Sequence, residues 1–288
     1  MDIRNIKAEV PKTYRDSILN QMYQLNDTQF RGYQAIENLP HYPMDINSPK
    51  NQIILKDFIG RVIEELTEGF ESLEEAIKII QPHGWNIDCL TDEEYSQLLN
   101  HIANANEEQA DALGFFFTLL MYSNIIPEDL LSFGESLDKG LYNIAKVEDL
   151  YTLMAIGVSM MISYYPDLEH IKKFNLIDSS GFDSEKTYEK FISYAPGFHS
   201  MNNTSQEAQK LYLWQIIYKL NIARNLLKSR PWKQTQVMTK EIDFQKALVE
   251  AFYLYMGYLG LNGFTPDNLF VLFFKKQVLN LWRQGTQY

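Results

Sequence analysis

The chain has 288 residues, 45% of them hydrophobic and 14% aromatic, enough to bury a substantial core and unlike a disordered segment. Its 37 Asp and Glu outweigh 26 Lys and Arg, for a formal charge of -11, which argues against a nucleic-acid-binding surface. A single cysteine, Cys89, excludes an intramolecular disulfide or a thiolate metal cage and fits a reducing cytoplasm. The N-terminus lacks the apolar core of a secretion signal. The most apolar stretches, Ala112 to Ile126 and Leu150 to Tyr165, are too short to span a bilayer, so neither a membrane nor a nucleic acid is expected as partner.

Taken in order, Thr13 to Asn26 reads as a helix with Tyr14, Ile18, Met22 and Leu25 on one face, ended by Asn26-Asp27. A polar connector from Thr28 to about Lys50, with Pro40, Pro43 and Pro49, is long enough to act as a lid. Gln52 to Gln81 forms a long amphipathic helix, broken by Pro82-His83-Gly84-Trp85. Thr91-Asp92-Glu93-Glu94 resembles a capping box that opens a helix over Tyr95 to Ala103. A further helix, separate or continuous with it, runs to about Ile126. Helices are also expected over Glu135 to Ile144, Glu148 to Tyr164, Ser205 to Lys228, Glu241 to Leu261 and Pro266 to Gln284, with an irregular insertion at Phe174 to Thr204. No stretch alternates as a strand would. The expected fold is all-α, one helical bundle over 1–288.

Two acidic motifs stand out. Glu64-Glu65-x-x-Glu68 lies on the Gln52 helix, and Glu107-Glu108-x-x-Asp111 precedes the apolar run from Ala112 to Leu120. Helical residues three apart share a face, so Glu65 pairs with Glu68 and Glu108 with Asp111. If the two helices lie side by side, four carboxylates converge and repel unless cations neutralise them. Oxygen-only ligands suit Mg²⁺ or Mn²⁺, and a carboxylate-held Mg²⁺ usually works with substrate phosphates. The alternative is an ordinary solvated acidic face, though acids this near a core are uncommon unless paired or metal-bound. In the second half, cations gather at Arg224 to Lys233 and in the last helix, where Lys276, Asn280 and Arg283 share a stripe opposite Leu272 and Leu279. Such a stripe could hold a polyphosphate.

The paired EExxE and EExxD motifs resemble those of the MazG-like, all-α nucleotide pyrophosphatases. The C-terminal run Lys276-Gln277-Val278-Leu279-Asn280-Leu281-Trp282-Arg283-Gln284-Gly285-Thr286-Gln287-Tyr288 is similar to the K-N-x-x-N-x-x-R-Q…G-Y ending of the dimeric dUTPases and their phage dUTPase and dCTPase relatives. Arg230-Pro231-Trp232-Lys233-Gln234-Thr235 and Leu25-Asn26-Asp27 match further segments of that family. The resemblance implies Glu65, Glu68, Glu108 and Asp111 as metal ligands and catalytic acids, with Glu65 orienting or deprotonating the attacking water. It implies phosphate contacts from Lys233, Lys276, Arg283 and Tyr288, and nucleoside contacts from Gln21, Asn26 and Asn280. Implied too are a homodimer, which a surface rich in Phe, Tyr and Met would also favour, and attack at the β-phosphorus of a deoxynucleoside triphosphate. The expected reaction is Mg²⁺-dependent hydrolysis of dUTP to dUMP and pyrophosphate in the cytoplasm, the host's if the chain is phage-encoded. The alternatives are dCTP or both pyrimidines as substrate, or a catalytically silent helical scaffold. Three departures leave the base open. The family's first-helix glutamine falls on Met22, one position from Gln21; its Asn is replaced by Gln277 and its terminal glycine by Gln287.

Overall fold

Pro49 opens a 32-residue helix, α2 (Pro49–Ile80), at the position where a missing N–H costs nothing. Leu55, Phe58, Ile59, Val62, Leu66, Leu73, Ala76, Ile77 and Ile80 recur along it at helical spacing and are all buried. The helix tightens into a 3-10 turn at Gln81–His83 and stops where Gly84 (φ 62°) and Trp85 (φ 65°) enter the left-handed region. After a second short turn at Ile87–Cys89, Thr91 and Glu94 cap each other reciprocally and start α3 (Asp92–Tyr122). The second acidic motif thus lies in the middle of one continuous helix that includes Tyr95 to Ala103.

The computed structural model describes residues 6–7, 18–37, 39–42, 44–130, 149–166, 203–228 and 240–286. Besides α2 and α3 these contain the long helices α1 (Ile18–Glu37), α4 (Asp149–Tyr164), α5 (Asn203–Leu226), α6 (Glu241–Leu261) and α7 (Pro266–Thr286). No strand occurs among the described residues, and the fold is all-α. The expected helix at Glu135 to Ile144 and nearly all of the insertion at Phe174 to Thr204 lie outside the described residues.

Helix α2 starts at Pro49, inside the expected connector, and α3 ends at Tyr122 before Ile126, but the largest difference from the sequence expectation is in α1. Asn26-Asp27 does not end α1, which continues for ten further residues through Glu37. The local preference of Asn-Asp for a stop is overridden because Asn26 spends its side chain on another helix, donating from Nδ2 to Thr118 Oγ1 of α3. The connector is correspondingly short. Its end is tied down by Gln34 and Tyr122, which both donate to the Pro40 carbonyl.

Helix α3 packs along α2, and α1 and α7 lie together against α3. Helices α4 and α5 flank α6, which is buried all round from Ala251 to Leu261 as its unbroken apolar sequence requires. Gly157 of α4 and Gly257 of α6 meet backbone to backbone, leaving no space for a Cβ on either. Aromatic contacts join the layers: Phe116 stacks on Tyr255 at 5.0 Å, and Phe117 meets Tyr23 at 4.7 Å and Phe273 at 5.6 Å. A satellite cluster of Leu73, Ala76, Ile77, Ile80, Leu98, Ile102 and Ala105 closes the far tip of the α2–α3 pair.

The exposed large apolar residues are Ile53, Ile126, Tyr164, Trp214, Tyr218, Ile242, Leu281 and Trp282. Of the Phe, Tyr and Met expected on an outer face, only Tyr164 and Tyr218 are exposed among the described residues; the described Phe and Met are buried or partly buried. None of the described helices is long and apolar enough to cross a membrane.

Candidate functional site

Four helices supply the site. Along α2, Arg61, Glu65 and Glu68 are spaced i, i+4 and i+7 and therefore share a face. On α3, Glu108, Asp111 and Phe115, at i, i+3 and i+7, also share a face. Below this face, Gly69 lets the helices approach closely: a Cβ there would stand 2.7 Å from Gln109 Nε2 and 3.3 Å from Glu108 Cβ.

The close approach brings carboxylate oxygens of Glu65, Glu68 and Glu108 within 4.8 Å of one another. Asp111 takes a different partner. Lys276 of α7, only 4% exposed at its side chain, places Nζ 2.6 Å from Asp111 Oδ2 and 2.6 Å from Glu107 Oε1. The four acids expected to converge thus divide into a triad of glutamates and an Asp111 neutralised from within the chain. Lys276, expected at a phosphate, is engaged in this bridge.

The electrostatics follow the division. Burial, a hydrogen bond shared with Glu108 and the charges of Asp111, Glu108 and Glu68 push Glu65 up to about 8. Burial raises Glu108 as well. Without a cation Glu65 therefore holds on to its proton at neutral pH, as expected where carboxylates cannot all ionise side by side. Burial also pushes Asp111 above its ordinary range, against the pull of Lys276. Burial alone would lower Lys276, but Asp111 and Glu107 together keep it firmly protonated. An oxygen-only cluster that makes no ion pair among the described residues fits a hard divalent cation in donor type and in charge.

Beside the triad opens a cleft of about 280 Å³. Glu65 and Asp111 form its acidic edge, Asn280 and Arg283 of α7 another side, and Asn26 of α1 its floor. Arg283 is exposed, makes no ion pair among the described residues, and lies near enough to Asp111 to lower it. Gln21 is half-buried and lines no part of the cleft; of the expected connector, Gln29, Phe30 and Tyr33 line it, from helix α1, and no described residue beyond α1 does. Lys233 and Tyr288 lie outside the described residues.

Several lining residues escaped sequence reasoning. Gln29, Phe30 and Tyr33 continue the Asn26 face at i+3, i+4 and i+7, a signal hidden by reading Asn26-Asp27 as a stop. Arg61 opens the first acidic motif one turn before Glu65. Its guanidinium lies 5.7 Å from the ring centres of both Phe58 and Phe115, and its Nε donates to Asp57 at 2.9 Å. Thr118, Gly114 and Gln277 complete the floor, and Gln284 reaches α1 by donating to the Gln29 carbonyl.

No family model matches the chain, and no curated protein or solved structure matches it either.

Proposed function

We propose that the chain is a divalent-cation-dependent pyrophosphohydrolase of pyrimidine deoxynucleoside triphosphates. On this reading it converts dUTP to dUMP and pyrophosphate, with dCTP as the second substrate. The observation that carries the proposal is the glutamate triad, within 4.8 Å, at the edge of a cleft that also offers amides, aromatic rings and two arginines.

Glu65, Glu68 and Glu108 would hold Mg²⁺ or Mn²⁺, with Asp111 joining them if Lys276 moves toward the substrate. Such an ion, when bound, stabilises charge on phosphoryl oxygens and lowers the pKa of bound water. Arg283 grips two phosphate oxygens with its planar fork. Asn26 and Asn280 hold the nucleoside. Glu65 orients a water and takes its proton as the water oxygen bonds to the β-phosphorus. The bond from that phosphorus to the α–β bridging oxygen breaks, and dUMP leaves with its electron pair. The aromatic walls of Phe30 and Phe115 exclude competing water. Trp214 and Tyr218, exposed on α5, would meet a second copy in the homodimer that the sequence resemblance implies.

Turnover of dUTP, dCTP, dTTP, dATP and dGTP in ¹⁸O-labelled water, with Mg²⁺ and with chelator, tests the proposal. Nucleoside monophosphate and labelled pyrophosphate are expected, with Mg²⁺ only. A silent scaffold would neither hydrolyse a nucleotide nor bind one in a Mg²⁺-dependent way, and label in the monophosphate would move the attack to the α-phosphorus.

A further inference from the structure

The closest approach of α2 and α3 falls one residue beyond two of the triad's glutamates. Gly69 follows Glu68 and Gln109 follows Glu108, and these two followers meet. A Cβ on Gly69 would stand 2.7 Å from Gln109 Nε2, too close for either to stay in place. It would also stand 3.3 Å from Glu108 Cβ, the first carbon of a triad side chain, and 3.4 Å from the Ala105 carbonyl oxygen. Gln109 is 3% exposed, and both polar atoms of its side chain are buried with no hydrogen-bond partner among the described residues. Two unmatched polar atoms cost stability, so at this point the amide contributes by its bulk. A glycine inside a helix is costly as well, and here it lets α2 come as near as that amide allows. Helix α6 holds the same turn of α3. The Tyr255 hydroxyl donates to the Gln109 carbonyl at 2.6 Å, and its ring stacks on Phe116 at 5.0 Å.

We propose that the contact of Gly69 with Gln109, held by Tyr255, is a spacer that selects the triad's cation by size, favouring Mg²⁺ over Ca²⁺. The inference rests on the cation-dependent reading above and concerns which ion that site accepts. Oxygens lie at about 2.0–2.1 Å from Mg²⁺ and at about 2.3–2.6 Å from Ca²⁺, a difference of a few tenths of an ångström for each bond. Carboxylates on helices that can slide apart would spread to suit either ion. Here Gly69 sets how near Glu68 comes to Glu108, and the Tyr255 hydroxyl keeps the Gln109 turn from backing away. A methyl group at position 69 would displace Glu108 Cβ by a few tenths of an ångström, the same scale as the difference between the two ions.

Binding of Mn²⁺ followed by electron paramagnetic resonance, with displacement by Mg²⁺ and by Ca²⁺, is the test, together with melting temperatures in chelator and in each ion. The wild-type chain should bind Mg²⁺ more tightly than Ca²⁺. Gly69→Ala should shift the ratio of the two affinities toward Ca²⁺ by about tenfold or more. Gly69→Ala with Gln109→Ala should return most of that shift, because the nearest obstacle to the new methyl group is gone. Tyr255→Phe keeps the ring and loses the hydroxyl, and should shift the ratio the same way by about threefold or more. It also carries the test if Gly69→Ala does not fold. A purely structural role would lower the melting temperature in chelator and leave the ratio as it was. The inference fails if the wild-type chain prefers Ca²⁺, if a folded Gly69→Ala or Tyr255→Phe keeps the wild-type ratio, or if the double variant departs as far as Gly69→Ala alone. Should the wild-type chain bind no divalent cation at all, the hydrolase reading falls first and takes this one with it.

Discussion

Two groups of acids lie within one turn of each other and meet their charge in opposite ways. Glu107 and Asp111 share Lys276, a cation supplied by α7 at 2.6 Å from each. Glu65, Glu68 and Glu108 have no such partner among the described residues, and Glu65 answers by retaining its proton up to about 8. A buried cation completes the first group as a structural joint between α3 and α7. The second group has no cation among the described residues, and on the proposed reading a divalent ion from solution would complete it. The same residue type is thus a stabilising element in one place and a stored repulsion in the other, decided by whether a lysine is within reach.

The difference predicts opposite results for similar substitutions. Glu108→Gln removes repulsion, so the metal-free chain should melt higher than wild type, while Mg²⁺-dependent turnover falls to background and Mg²⁺ no longer raises the melting temperature. A lower melting temperature in chelator would show that the triad is not a strained cluster. Lys276→Met strands two half-buried carboxylates, and breaking such a pair from one side costs about 3 kcal/mol, readable as a shift of the urea midpoint. Loss of activity without loss of stability would move Lys276 out of the joint and onto the substrate.

Arg283→Lys sharpens the comparison from the side of the cleft. Arg283 is exposed and unpaired among the described residues, so its loss should leave the melting temperature almost unchanged. A charge-assisted contact of about 1.5–3 kcal/mol would disappear, lowering kcat/KM about ten- to a hundredfold. Normal turnover with a lowered melting temperature would assign Arg283 to the fold instead.

The smallest effect is a slope. Between about 4.3, the ordinary glutamate value, and about 8, the folded chain holds a proton on Glu65 that the unfolded chain has released. Metal-free stability should therefore fall as pH rises through that window and level off above it. Mg²⁺ should offset the fall, and Glu65→Gln should flatten it. Thermal melts in chelator and in Mg²⁺ from pH 5 to about pH 9 measure both.

Much of this was legible in the residues, because helices are local objects. The Thr91–Glu94 capping box, the break at Gly84 and the spacing of Leu55 to Leu66 depend on neighbours within a turn or two. The shared faces of Glu65 with Glu68 and of Glu108 with Asp111 follow from the same 3.6-residue period. Where the local reading failed, at Asn26, the cause was a contact 92 residues away: a side chain that would favour a stop is bonded instead to Thr118.

What no local pattern contains is the relation between elements. The sequence alone determined an all-α chain, two acidic faces and a cationic stripe on the last helix. Only the packed structure decided that Lys276 neutralises Asp111 and Glu107 rather than standing free, that Gly69 draws Glu68 and Glu108 together, and that Asn26 and Gln277 meet over Gly114. The reason is physical. Spacing along a helix sets which side chains point the same way, but charge balance and hydrogen-bond partners are settled by whichever helix arrives opposite, and that is fixed by the burial of the whole core at once.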